Sequence, residues 1–239
     1  MKPSMMALLA ALLFAAAPAR GGLLDELTSG FDLPGPVSNL DEGTTAKGLR
    51  DALAVGTERA VKAVAKTDGY FGNEAIKILL PDKIRTVVDF LGKAGFQDQV
   101  DQFILSMNRA AEKAAPKAAG IFADAVRKMT FEDARGILTG GETSATEYFR
   151  GKTREKIYGA FKPAVTATMS EAGVTRRYQE LMGEFSSLPF MDSSEMDLDH
   201  YVTNKAMDGL FHMLGEEEKK IRQNPAARTT EILRKVFGK

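Results

Sequence analysis

Lys205, Asp208 and His212 recur at one-turn spacing, which strings an ammonium, a carboxylate and an imidazole along one narrow helical stripe. Groups of those types within reach of one another are the raw material of general acid–base chemistry. The ordinary alternative is an exposed stripe or polar brace, and residue types alone favour it. A second knot sits inside "SMNRAAEKAAPKAAGIFADAV". There Asn108 and Glu112 lie one turn apart, and Arg109 reaches Glu112 or Lys113 at similar spacing. Solvated helix faces commonly carry such pairs, each contributing about 0–1 kcal/mol, so the balance again tilts towards an exposed face. The sharper alternative buries Asn108, Arg109 and Glu112 to brace other helices or contact a ligand. Further along, Glu216 with Lys220 and Glu218 with Arg222 have good helical pairing geometry and read as solvent-side pairs.

Other chemistries find little footing. His200 and His212 are three turns apart on one helix, too far to share a metal through it. Asp197 and Asp199 beside His200 suit ordinary helix capping. There is no Gly-x-Ser-x-Gly elbow, phosphate loop or dinucleotide fingerprint. Gly140-Gly141 could cradle a phosphate, but two glycines after a helix usually just stop it. Without cysteine there is no thiol nucleophile. Neither a metal, a cofactor nor a catalytic residue is assigned, and a non-enzyme is favoured over an enzyme.

These side chains need helices to place them. Thr44 or Thr45 can cap a first helix with Leu49, Leu53, Gly56, Ala60 and Val64 on one face, ending near Gly69. "YFGNEAIKILLP" reads as an ordered loop. Pro81-Asp82 opens a helix through Ile84, Val87, Val88 and Leu91, with Gly95 as its stop. In the next helix Met107, Ala111, Ala114, Ala118, Phe122 and Ala125 share a side, and Pro116 either kinks it or starts another. Thr130 to Asp133 has capping-box spacing before a short helix that Gly140-Gly141 closes. A helix rich in Tyr148, Phe149, Ile157, Tyr158 and Phe161 follows, and Pro163 restarts one that Gly173 ends. "VTRRYQELMGEFSSLPF" comes next. Asp197 then caps a long helix with a broad apolar face from Val202 to Leu214, the natural centre of the fold. Asn224-Pro225 caps a last helix that Gly238 stops. The sum is an all-α, single-domain multi-helix bundle over residues 44–239.

The first 43 residues differ. Lys2, the apolar run Met5 to Ala17 and the small residues around Pro18 have the form of a signal peptide, residues 1–19, cut before Arg20. That run is shorter than the roughly 20 residues a membrane span takes. Residues 20–43, rich in Gly, Pro and Ser, read as a flexible tether. Export places the mature chain in the periplasm, soluble and without a transmembrane segment. Lacking cysteine, it has neither disulfides nor a lipid anchor at that residue. Lys+Arg and Asp+Glu both number 32, so no net field gathers nucleic acid, which is excluded as a partner.

Read together, "GLRDALAVGTERAV", "SMNRAAEKAAPKAAGIFADAV", "YVTNKAMDGLF" and "EEEKKIRQNPAARTTEILRKVFG" resemble the bacterial envelope family catalogued as domain of unknown function 4197, from about Gly48 to Gly238. The resemblance rests on Asn-Arg-Ala-Ala-Glu at 108–112, Lys-Ala-x-Asp-Gly-Leu-Phe at 205–211 and Asn-Pro-Ala-Ala-Arg at 224–228. It implies an exported helical protein. Many members carry a lipoprotein signal, from which this chain departs by lacking the cysteine. The resemblance implies no activity, cofactor or catalytic residue; the candidates for binding or an internal polar network are Asn108, Arg109, Glu112, Lys205, Asp208, His212, Arg222, Asn224 and Arg228, and the resemblance strengthens those that fall in its blocks. Three functions stand open. The favoured one is non-catalytic binding of a lipid, another apolar small molecule or an envelope protein, for which eleven methionines offer adaptable lining. The second is a carboxylate-dependent hydrolase or transferase acting on an envelope component. The third is a structural protein in which Asn108, Arg109, Glu112, Asp208 and Arg228 form one network.

Overall fold

A computed structural model describes residues 42–82, 92–173, 176 and 197–223. The chain divides into Met1–Leu40 and Asp41–Lys239, and every described residue belongs to the second unit. Among the described residues there is no strand, and no helix is long and apolar enough to cross a membrane.

The first helix, α1, spans Glu42–Ala65 and so begins two residues before Thr44. Its Leu49, Leu53, Ala60 and Val64 are buried at helical spacing. Beyond it the chain doubles back tightly, with Asp68 at φ 61°. A side chain on Gly69 would lie 2.5 Å from the Val64 carbonyl oxygen, so only glycine fits there. Residues 66–82 are turns and loop without a strand, and 70–81 of them are the expected ordered loop. Of the helix anticipated from Pro81, residues 83–91 lie outside the described set. Gly95 does adopt the left-handed conformation of a stop, at φ 91°.

Helix α2, Gln97–Ala114, passes through a 3₁₀ turn at Ala115–Lys117 into α3, Ala118–Arg127. Of the two outcomes open to Pro116, the second is nearer: it sits in the first positions of the 3₁₀ turn that leads into α3, where its missing N–H costs least. Ala110, Ala111, Ala114, Ala115 and Ala118 are all fully buried, so neighbouring helices come close to this backbone. Helix α4, Phe131–Thr139, carries the anticipated capping box: the Asp133 amide donates to Thr130 Oγ1, and the Thr130 amide to Asp133 Oδ2.

Helix α5 runs without a break from Ser144 to Glu171, which corrects the restart expected at Pro163. Phe149, Thr153, Ile157, Phe161, Val165 and Met169 form one buried ridge at four-residue spacing that continues in phase across the proline. Pro163 and Gly159 are on the exposed side, where water can reach the carbonyl that loses its donor. Packing of the ridge outweighs the local penalty. Gly173, at φ 67°, ends the helix as expected. Residues 177–196 lie outside the described set.

Helix α6, Leu198–Gln223, is capped by Asp197, whose Oδ1 accepts from the His200 amide at 2.8 Å. It packs along α5 and α1, α2 packs along α5, and α3 sits between α1 and α5. At the centre Phe122 meets Phe149 edge-on at 5.3 Å and Phe211 at 6.1 Å. The all-α bundle is the architecture anticipated; within it α6 lies against α5, α1 and α2.

Candidate functional site

The knot on α2 is not a solvated face. Asn108 is fully buried and Glu112 is 5% exposed. They follow Ile104 on one four-residue ridge, a phase that points them at the 66–82 loop. Asn108 works as a substitute strand. Its Oδ1 accepts from the Ile78 amide at 2.8 Å, and its Nδ2 donates to the carbonyls of Ile78 and Ile104, both at 2.8 Å. Glu112 Oε1 accepts from the successive amides of Tyr70 at 3.1 Å and Phe71 at 3.2 Å. Arg109 donates to Glu112 Oε2 at 2.6 Å and to Asp68 Oδ1 at 2.7 Å. Those carboxylates hold its guanidinium more firmly charged than usual, Glu112 contributing most, against a desolvation cost.

The loop thus held inserts Tyr70, fully buried, between α2 and α6. Its hydroxyl donates to the Ala206 carbonyl at 2.6 Å. Gly209 makes the room, because a Cβ there would lie 2.6 Å from the Tyr70 ring. Burial, and secondly the charge of Glu112, push the phenol far above its ordinary value. Tyr70 stays protonated and serves as a donor.

A second buried carboxylate was missed by the sequence reading, which placed the Glu218–Arg222 pair on the solvent side. The side chains are 5% and 15% exposed. Glu218 Oε1 accepts from the Ala145 amide at 2.9 Å and from Arg222 Nε at 3.0 Å. Its Oε2 accepts from the amide and hydroxyl of Thr146, both at 2.8 Å. Arg222 continues to the Ile137 carbonyl at 2.8 Å. The start of α5 has no side-chain cap of its own at Thr143, so α6 supplies the anion that a helix N-terminus favours. The readable signal was phase: Glu218 continues the buried series Leu210, Leu214, which a solvent-side residue would not. Beside it Leu49, Leu53, Ile137 and Ile221 help line a crevice with room for about one water. The neighbouring pairs are Lys219 with Glu216 and Lys220 with Glu217, not Glu216 with Lys220.

Lys205, Asp208 and His212 are exposed. The latter two face different partners: His212 lies near Glu216, while Asp208 turns to α5. It is about half exposed and accepts from Arg154 at 3.3 Å, with Arg150 at 3.7 Å. Lys205 lies over the Tyr201 ring at 5.8 Å. Asp208 heads a polar ladder along the α5–α6 seam. In it Arg154 donates to Asn204 at 3.1 Å, Tyr158 meets His200 Nδ1 at 2.7 Å and Lys162 reaches Asp197 at 3.2 Å. The structure therefore joins Asn108, Arg109 and Glu112, joins Arg222 to Glu218 at another helix junction, and leaves Asp208 apart from both. Asn224 and Arg228 lie outside the described residues.

Among the described residues, no group of three or more His, Asp or Glu could hold a metal ion. Neither the curated proteins nor the solved structures contain a match to this chain. The profile of a family described as "Protein of unknown function (DUF4197)" matches residues 39–238, beginning just ahead of α1 and covering both buried carboxylates. The chain belongs to that family.

Proposed function

We propose that this is an exported, non-catalytic protein of the cell envelope, which works by presenting a rigid helical surface to an envelope partner. The observation that carries the reading is the state of the two carboxylates buried among the described residues. Glu112 and Glu218 each accept from two successive backbone amides and an arginine. A general base needs a lone pair within hydrogen-bond reach of the proton it takes, and these buried oxygens are engaged by main-chain amides and by the arginines. Asp208, the carboxylate of the Lys205–Asp208–His212 stripe, sits on the exposed seam. The geometry around Asn108 and Glu112 favours the network reading over a carboxylate-dependent hydrolase or transferase, though without Asp208. The basic start, apolar run and Ala17-Pro18-Ala19 of the N-terminus support export.

Expression of the full chain in a bacterium with two membranes, followed by fractionation, intact mass and cross-linking in cells, tests the proposal. The expected result is a periplasmic species beginning at Arg20, cross-linked to an envelope protein and free of stoichiometric lipid. A full-length cytosolic species would overturn export. A lipid recovered one-to-one would overturn the partner reading in favour of an apolar-ligand carrier.

A further inference from the structure

We draw no further inference here: the strongest candidate, the Tyr158–His200–Asn204 cluster with Lys162 on the exposed seam between α5 and α6, has its hydrogen bonds spent within that seam, and nothing in the structure points to a ligand for it.

Discussion

Asn108 shows why residue type alone misled. An asparagine on an alanine-rich helix reads as surface, yet this one replaces a missing strand for Ile78, donating to its carbonyl and accepting from its amide. Removing it strands both backbone groups in the core, so Asn108→Ala should cost about 2–4 kcal/mol in urea unfolding. Glu218→Ala should cost about 3–5 kcal/mol, because Arg222 and two amides lose their anion together. Substituting Gly209 by alanine drives a methyl into the Tyr70 ring, and a loss of about 1–3 kcal/mol is expected by the same measurement. Tyr70 also sets an alkaline limit. Its pKa in the fold is raised from 10.0, by burial first, so the stability it contributes is complete below pH 10 and drains away as pH climbs above it. Tyr70→Phe, although less stable at neutral pH for want of one hydrogen bond, should show a shallower decline there. The main-chain partners of Asn108 at Ile78 and of Tyr70 at Ala206 lie 30 and 136 positions away, beyond any local pattern in the one-letter code.

At the scale of elements, helix existence was legible and continuity was not. Periodicity located α1, α2, α5 and α6, and the Thr130 box and Asp197 cap were readable because their partners are three residues away. Pro163 was misjudged because its local penalty is visible in sequence, whereas the ridge from Phe149 to Met169 acts through neighbouring helices. If that ridge carries α5 across the proline, Pro163→Ala should leave the fold unchanged and raise stability by up to about 3 kcal/mol. A lower melting temperature would argue that the proline is needed where it is. The Asp197 cap has an acid limit of the opposite sign to Tyr70. The His200 amide, and then Lys162, hold its carboxyl below the ordinary 3.8. Its contribution is present above that value and fades as pH falls through the lowered one.

For the molecule as a whole, two junctions are made in the same way. One carboxylate ties the 66–82 loop to α2, and the other ties the start of α5 to the end of α6. Each lies where a loop or helix end would otherwise bury amides without partners, a cost of about 1–3 kcal/mol per group. The fold class and the broad buried face of α6 could be read from apolar spacing. The two junctions were harder to read, because a paired glutamate has the same spacing whether it faces water or main chain, and only the phase of Glu218 with Leu210 and Leu214 pointed to the second. The most direct test is residue-resolved amide hydrogen exchange on the wild type, Glu112→Gln and Glu218→Gln. The account predicts protected amides at Tyr70, Phe71, Ala145 and Thr146 in the wild type, with Tyr70 and Phe71 speeding up in the first variant and Ala145 and Thr146 in the second. Fast exchange at these amides in the wild type, or no change in either variant, would contradict it.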